Sequence, residues 1–284
     1  MSELQRKTPF AAGNVAVVTG GAKGLGAEAV KQFLSRNMQV IVIDNDDKAL
    51  HKLQQVCQAP TLLTPVVADL TDENDLALAF SSITERVSEI HVLLNNAAVM
   101  TKTGFNDALS EWKSVFNVNV WAMLSLTQQL LPLMTSGAII NAGSKEGITT
   151  PPGQPAYSVA KASVKVLTEL LQHELRNTKP DVSAHLLVPG FTHTPMNFPD
   201  GDTTSERARA AWPTSKVIEL MITRVNRGDF YLWGLDKETT RSLDMARITW
   251  HYQDIIQNRP PLSRWHQQYK SDFVEFAEHF CTIE

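Results

Sequence analysis

Short runs of β-branched residues alternate along this chain with longer segments in which apolar residues recur at helical spacing. Strands are expected at Val15–Val18, Val40–Ile43, Pro65–Ala68, Val92–Leu94, Ala138–Asn141, Val182–Val188 and Gly228–Trp233. Helices are expected at Ala27–Ser35, Asp46–Val56, Asp72–Val87, Ser110–Met134 and Ala156–Asn177. Strand, helix and strand in succession form right-handed βαβ crossovers, which build parallel sheets. The alternation therefore predicts an α/β fold with one doubly wound parallel sheet and helices on both faces.

The composition suits one domain spanning residues 1–284. Of the 284 residues, 43% are hydrophobic, which is enough for a substantial core. The formal net charge of −4 and the lack of long like-charge runs argue against a nucleic-acid partner. Cys57, Cys281 and the scattered histidines provide neither a disulfide framework nor the spacing of metal ligands. We expect no metal and a reducing, cytoplasmic setting.

No membrane segment is expected. Met1–Phe10 is polar and lacks the apolar core of a signal peptide, and no run of about 20 apolar residues occurs.

Prolines and glycines interrupt the alternation of strands and helices after Pro189, so about 190–227 is expected to form a substrate lid.

The last part of the chain, about 238–284, is expected to be a helical C-terminal extension. Its helices are predicted at Glu238–Ile256 and Ser263–Phe280, with two prolines between them. Aromatic residues recur at helical spacing in the second segment, which indicates packing on a core or a subunit interface: Trp265, Tyr269, Phe273, Phe276 and Phe280.

A glycine-rich run, Thr19–Gly26, follows the first expected strand and opens the first expected helix. Gly20, Gly24 and Gly26 lack Cβ atoms, which permits unusual backbone angles and close approach of a ligand. The amides and dipole of the following helix favour a pyrophosphate. Ordinary tight turns also use glycine, but in this context the run indicates a Rossmann-type dinucleotide site.

Three side chains form a group that can transfer a proton. Tyr157 and Lys161 lie four residues apart on one helix face, and Ser144 follows the expected strand Ala138–Asn141. A phenol ionises near pH ~10, and a lysine ammonium beside a nicotinamide cation would lower that pKa. Tyr157 would then exchange a proton with the oxygen of an alcohol or ketone while hydride passes to or from the cofactor. Ser144 would hold that oxygen in place.

Taken together, these motifs resemble the short-chain dehydrogenase/reductase family over roughly Asn14 to Met196. Asn95–Ala98 resembles the family's Asn-Asn-Ala-Gly run, and Pro189–Met196 resembles its segment after the sixth strand. Ala98 replaces the usual glycine, a departure that removes no catalytic group. The resemblance implies a fourth catalytic position at Asn119, which would hold a water near Lys161 in a proton relay.

The same resemblance implies the residues that contact the dinucleotide. Thr194 and neighbouring backbone groups would hold the nicotinamide carboxamide, and Asp69 would contact adenine. The full expected set is Thr19, Gly20, Lys23, Gly24, Leu25, Gly26, Asp44, Asp69, Leu70, Asn96, Ala97, Tyr157, Lys161, Pro189, Gly190, Thr192 and Thr194.

The residue that ends the second strand indicates which dinucleotide binds. Asp44 can accept hydrogen bonds from both ribose hydroxyls of adenosine and would repel a 2′-phosphate. No arginine follows to neutralise that phosphate, although Lys23 in the turn would do so in part. NAD is therefore expected in preference to NADP.

The substrate side is expected to be mostly apolar. Gln154 precedes Tyr157 by three residues and is a candidate to hydrogen-bond the substrate. The candidate apolar contacts in the lid are Phe191, Met196, Phe198 and Trp212. A cyclic or aromatic small molecule fits such a pocket, although core packing also accounts for these residues.

Three functions stay open at this point. The first is an NAD-dependent enzyme that interconverts a secondary alcohol and a ketone. The second is a catalytically silent dinucleotide-binding regulatory or scaffold protein, and the third is a family member recruited to dehydration or cyclisation of a natural product. Family members commonly pair the helices around 110–134 and 156–177 across a twofold axis, so the resemblance implies a homodimer or homotetramer.

Overall fold

Seven parallel strands form the central sheet of the computed structural model, which describes residues 8–237 and 239–283. Their spatial order is β3-β2-β1-β4-β5-β6-β7. The strands are β1 (Val15–Thr19), β2 (Gln39–Asp44), β3 (Leu63–Val67), β4 (Val92–Asn95), β5 (Gly137–Ala142), β6 (Val182–Val188) and β7 (Tyr231–Trp233). The doubly wound sheet is confirmed. Most of the polar segment Met1–Phe10 and the expected helix start Glu238 lie outside the described residues.

Helices flank the sheet on both faces. In chain order they are α1 (Gly24–Leu34), α2 (Asp47–Cys57), α3 (Glu73–Thr84), α4 (Leu109–Phe116), α5 (Met123–Leu130), α6 (Glu146–Thr149), α7 (Pro155–Thr178), α8 (Glu206–Ala210), α9 (Thr214–Arg227), α10 (Arg241–Ile256) and α11 (Lys270–Ile283). Side chains cap several N-termini: Asp46 accepts from the Ala49 amide before α2, and Thr240 accepts from the Leu243 amide before α10. None of the described helices is both long and apolar enough to cross a membrane.

The two faces of the sheet bury separate apolar layers. Along β1, Ala16 and Val18 face the layer that contains α1, α2 and α9. Val15 and Val17 face the opposite layer, which contains α3, α5 and α7. Successive side chains of a strand point to opposite faces, so a strand covered on both sides is apolar throughout. Because the strands are covered on both faces, their sequences are nearly continuous runs of Val and Ile.

The predicted helix Ser110–Met134 is divided in the structure. After α4 the backbone forms a π-helical segment, Asn117–Ala122, and then continues as α5 and a 3₁₀ turn at Leu131–Leu133. The side chain of Asn119 donates to the Val115 carbonyl, so it takes up a backbone acceptor inside the helix. This wide turn places Asn119 in the buried interior.

The expected lid, about 190–227, consists of two kinds of structure. Residues 190–213 form loops and the short helix α8, whereas α9 packs an apolar face against α1. Gly228 ends α9 in a left-handed conformation, at φ +81°, and so does not begin the last strand. The prolines and glycines of this region therefore flank a regular core helix.

The C-terminal extension folds back on the domain. Trp250 of α10 contacts Phe273 and Phe276 of α11, at ring-centroid distances of 5.5 and 5.3 Å. The Trp250 indole N–H donates to Ser263 Oγ, and Ser263 donates to Asp254. The tail is thus held to itself by aromatic packing and buried hydrogen bonds, and α10 lies against α6.

Candidate active site

A cleft of about 530 Å³ lies at the carboxyl ends of the strands. The order of the sheet reverses between β1 and β4, and ligands of open α/β sheets bind at such a switch point. The glycine turn after β1 and the end of β2 line one end of the cleft. Ser144, Tyr157 and Lys161 line the other end.

The glycine turn is closely packed on the loop after β4. Gly20 has φ +57°, and a Cβ there would come within 2.7 Å of the Ala97 Cα. Thr19 Oγ1 accepts from the amides of Asn96 and Ala97, at 3.0 and 3.1 Å. Asn96 Nδ2 donates to the Gly20 carbonyl at 2.9 Å. Thr19 therefore lies behind the cleft and fixes the turn.

The start of α1 requires glycine for a different reason. A Cβ at Gly26 would lie 2.2 Å from the Gly20 carbonyl oxygen, so only glycine lets the helix begin this close to the turn. Gly24 adopts φ +55°, and both Gly24 and Leu25 line the cleft. A narrow cradle at a helix N-terminus fits the pyrophosphate of a dinucleotide.

Asp44 is held in place at the end of β2. Its Oδ2 accepts from the Ala22 amide at 2.9 Å, and its Oδ1 accepts from the Asp46 amide at 3.0 Å. Lys23 forms an ion pair with Asp46. The carboxylate of Asp44 therefore faces the cleft in a fixed position, and the cation of the turn already has a carboxylate partner.

Two further segments complete the cofactor end of the cleft. Asp69 and Leu70 line it after β3, and Asp69 Oδ1 accepts from the Thr71 amide at 2.9 Å. On the other side, Pro189, Gly190, Thr192 and Thr194 line the cleft after β6. All expected cofactor contacts except Thr19 and Gly26 reach its surface.

Tyr157 and Lys161 lie on the buried face of α7. The Lys161 Nζ atom is 5.6 Å from the Tyr157 ring centroid and donates to the Ala142 carbonyl at 2.8 Å. Ser144 Oγ accepts from the Glu146 amide at 3.1 Å and lies near the Tyr157 hydroxyl. The three side chains therefore lie together at one end of the cleft.

Burial dominates the protonation of this group. It raises the pKa of the Tyr157 phenol well above 10, and the nearby Glu146 carboxylate adds to that rise, whereas the nearby Ser144 hydroxyl acts against it. Burial lowers the pKa of Lys161 to about 8. The protein groups by themselves thus keep Tyr157 protonated, whereas the lowered phenol pKa expected from the sequence also requires a nicotinamide cation beside the ring.

Asn119 lies behind the cleft wall. Its Nδ2 donates to the carbonyls of Val99 and Val115, both at 2.9 Å. Its Oδ1 is buried and has no hydrogen-bond partner within the described part of the chain. Buried polar atoms of this kind are commonly satisfied by an ordered water.

Only some of the expected substrate residues line the cleft. Phe191 and Met196 line the cleft. Phe198 instead packs on Phe191 and the α8 region, and Trp212 packs on the core beside Lys216 of α9. Gln154 precedes α7 and turns its Oε1 into the interior. Phe198 and Trp212 lie outside the cleft surface, where the core packing that was their alternative accounts for them, and Gln154 does not line the cleft either.

Other cleft residues were missed by the sequence analysis. Lys145 and Glu146 directly follow Ser144, and this charged pair in an otherwise apolar segment was a usable signal. Asp236, Thr239 and Arg247 also line the cleft and gave no signal. Asp236 and Thr239 follow β7, and Arg247 lies on α10, which packs on α6.

Comparison with known proteins gives the family. The model of the short chain dehydrogenase family matches residues 14–204, which include the glycine turn and the Ser144, Tyr157 and Lys161 group. Dehydrogenase/reductase SDR family member 11 of Bos taurus is 30% identical over 216 residues, which cover 72% of this chain and 85% of the relative.

Solved structures show the same fold. A short chain dehydrogenase/reductase from Burkholderia phymatum in complex with NAD superposes with a TM-score of 0.78 at 24% identity, covering 88% of this chain and 96% of that one. The RhlG/NADP complex of Pseudomonas aeruginosa superposes with a TM-score of 0.71 at 24% identity, covering 81% and 98%. With two thirds of its length matched by the family model, this chain belongs to the short-chain dehydrogenase family of oxidoreductases.

Proposed function

We propose that this protein is an NAD(H)-dependent oxidoreductase that interconverts a secondary alcohol and a ketone on a mostly apolar, cyclic or aromatic small molecule. One observation carries the proposal: Ser144, Tyr157 and Lys161 lie together in the same cleft as the glycine turn. A proton donor and a dinucleotide cradle in one cleft are what coupled proton and hydride transfer requires.

The residues around the cleft fit a dinucleotide. The turn at Gly20 and Gly24 would hold the pyrophosphate, and Asp44 would accept from the adenosine ribose hydroxyls. Asp69 and Leu70 would contact adenine, while Gly190 and Thr194 would contact the nicotinamide end. Because Asp44 is fixed and Lys23 is paired with Asp46, a 2′-phosphate would meet a carboxylate without a free cation from the turn, which favours NAD.

In the reaction, the bound nicotinamide would supply or accept the hydride. Tyr157 would donate its phenolic proton to the carbonyl oxygen during reduction and accept it back during oxidation. Its raised pKa keeps the donor form populated at neutral pH. Ser144 Oγ would donate to the same oxygen, because it lines the cleft beside Tyr157.

The proton of Tyr157 must be replaced after each reduction. Lys161, with its pKa near 8, exchanges a proton easily at physiological pH. A water bound to the unpartnered Oδ1 of Asn119 would connect this lysine with solvent. In this relay Asn119 would act as a positioning residue that holds the water near Lys161.

The substrate would enter beside Phe191 and Met196, which supply apolar contact, in a loop region that we propose acts as a lid over 190–213. We propose a reducing, cytoplasmic setting because Cys57 and Cys281 are both free thiols.

Replacement of the proton donor tests the proposal. Tyr157→Phe should lower kcat for reduction of a panel of cyclic and aromatic ketones by about 100-fold or more, because general acid catalysis contributes about 10²–10⁴. The Kd for NADH should stay within about twofold, since the phenol supplies little of the dinucleotide contact. Turnover is followed by absorbance of the reduced nicotinamide.

Tyr231→Phe is the matched control, because the Tyr231 hydroxyl bonds Glu169 outside the cleft. Turnover by Tyr157→Phe at the wild-type rate would contradict the assignment. If wild type bound NADH but reduced no ketone and oxidised no alcohol of the panel, the catalytically silent regulatory function would be favoured.

A further inference from the structure

We infer that Arg247 of α10 binds an anionic group of the substrate, so that the substrates are ketones or secondary alcohols that carry a carboxylate. The inference rests on the proposed function and adds a chemical class to it. It comes from the C-terminal extension, beyond the region that the family model matches.

Arg247 lines the same cleft as Ser144 and Tyr157. It reaches the cleft because α10 packs on α6, the short helix that follows Ser144. The Arg247 side chain is 33% exposed, so its guanidinium group is open to a ligand but partly shielded from water. A charge in such a position interacts more strongly with an anion than a fully exposed one.

The neighbouring carboxylates of Asp236 and Asp244 are bound mainly by other side chains. Lys145 lies 2.6 Å from Asp244 Oδ2 and 3.0 Å from Asp236 Oδ2. The Trp233 indole N–H also donates to Asp244 Oδ2, at 2.9 Å. Lys145 is thus neutralised by two buried carboxylates, although it too lines the cleft.

Arg247 is held only loosely by comparison. Its Nη1 is 3.7 Å from Asp244 Oδ1 and 3.4 Å from Thr239 Oγ1. Strong bonds between a guanidinium and a carboxylate measure about 2.7–2.9 Å, and the group has five N–H donors. Arg247 therefore keeps donors for a bidentate contact with a further carboxylate.

A second cation, the partly buried Arg264, lies near Arg247 but does not itself line the cleft. Arg264 lies close enough to Arg247 that, after burial, the charge of Arg247 contributes to lowering the Arg264 pKa, to about 10. The Nη1 atom of Arg264 is buried and has no hydrogen-bond partner among the described residues. Two neighbouring guanidinium groups repel each other, so an anion bound by Arg247 would also be attracted by the charge of Arg264.

Glu146 and Asp236 are acidic side chains that also line the cleft. Glu146 lies on α6, the helix on which α10 packs, and burial raises its pKa, which disfavours its charged form. Asp236 is paired with Lys145, at 3.0 Å. One of these carboxyl groups is thus disfavoured as an anion and the other already has a cation partner, which leaves Arg247 as a cation for a bound anion.

Binding of benzoate and benzamide tests this site directly, because the two probes have nearly the same shape and differ in charge. Calorimetric titration in the presence of saturating NADH should show benzoate binding at least about tenfold more tightly than benzamide. Arg247→Gln should remove that preference and leave benzamide binding unchanged. Equal binding of the probes, no benzoate binding at millimolar concentration, or a preference that survives Arg247→Gln would overturn the inference.

Arg241→Gln is the matched control. Arg241 is also on α10, but it stacks over the Trp233 ring, with its Cζ 4.9 Å from the centroid, and does not line the cleft. This variant should retain the benzoate preference. Loss of the preference in Arg241→Gln to the same extent as in Arg247→Gln would show that the effect is structural and would overturn the inference.

Turnover separates this inference from the proposed function. Wild type should reduce 3-oxocyclohexanecarboxylate with a kcat/KM at least about tenfold above that for its methyl ester, with the difference in KM. Reduction of both ketones with equal kcat/KM would overturn the carboxylate class and leave the proposed function standing. A benzoate preference that depends on Arg247, without reduction of any ketone, would support the anion site and contradict the proposed function.

Discussion

Lys161 shows at the scale of one residue how burial prepares a group for proton exchange. The side chain is buried in α7 and donates to the Ala142 carbonyl. Burial disfavours the ammonium form and lowers the pKa from 10.5 to about 8. The lysine therefore lies near its titration midpoint at physiological pH while it stays beneath the Tyr157 ring.

This lowered pKa predicts a dependence of stability on pH. Between about pH 8 and pH 10.5, folded Lys161 has lost its proton while unfolded Lys161 retains it, so the unfolded state binds more protons and the free energy of unfolding rises with pH. Relative to Lys161→Met, wild type should gain about 1 kcal/mol per pH unit across this window. Urea unfolding at about pH 7.5 and about pH 9.5 measures the difference.

Lys165→Met is the control, because Lys165 on the same helix forms an accessible ion pair with Glu169. A difference between wild type and Lys161→Met that stays constant with pH would show that Lys161 is not a desolvated cation.

Cleft residues could be predicted from the sequence when a local pattern, such as helical spacing or a strand end, marked them. Tyr157 and Lys161 share a helix face, and Asp44 ends a strand, so local pattern was sufficient. Their protonation was not predictable, since the Tyr157 pKa depends on burial and on Glu146. The position of Arg247 in the cleft was not predictable either, because it depends on how the C-terminal extension folds back on the domain.

At the scale of elements, the short helix α6 links the Ser144 loop to α7. A Cβ at Gly147 would lie 2.4 Å from the Lys161 carbonyl carbon and 2.6 Å from the Ala162 nitrogen. The backbones of α6 and α7 thus touch at the position of Lys161. This contact sets the distance between Ser144 and the tyrosine helix.

Gly147→Ala should therefore separate these two helices. Its methyl group meets backbone that cannot rotate away, so we expect a destabilisation of about 1–3 kcal/mol, measured by urea unfolding, together with a lower kcat. Gly104→Ala is the control, because the nearest atom to its Cβ, at 3.5 Å, is a carboxylate oxygen of Asp107, an ordinary contact. A fully stable and active Gly147→Ala protein would contradict the close contact of α6 and α7.

Elements with regular patterns were predicted well, and interrupted ones were not. The runs of Val and Ile identified the strands, and Asp46 and Asp72 marked the starts of α2 and α3. Helix α9 was missed because flanking prolines and glycines resemble a loop, although its apolar face belongs to the core. The π-helical break in Asn117–Ala122 depends on the buried Asn119 side chain and leaves no periodic signal.

At the scale of the whole molecule, an apolar surface runs along helix α7. Val166 and Leu170 are exposed on α7, and Trp121 is exposed on the neighbouring π-helical segment. Large apolar side chains grouped on a helix surface commonly mark a protein interface. We propose that two copies of the chain pair through this surface, as a homodimer or as part of a homotetramer.

Light scattering of the purified protein tests the assembly. Wild type should have the mass of two or four chains, and Leu170→Glu should lower that mass to one chain or to a dimer, because the 61% exposed leucine would be buried against a partner. Leu78→Glu is the control, since Leu78 on α3 is 68% exposed and lies off this surface. A monomeric wild type, or equal masses for wild type and Leu170→Glu, would contradict the proposed interface.

The central claim is that the cleft binds a nicotinamide dinucleotide and prefers NAD. Titration with NADH and NADPH, followed by fluorescence of the reduced nicotinamide, tests it most directly, with Asp44→Asn as the matched variant. The account predicts saturable binding of NADH at least about tenfold tighter than that of NADPH. Asp44→Asn should narrow this gap, because the amide no longer repels a 2′-phosphate. No binding of either dinucleotide by wild type would contradict the account.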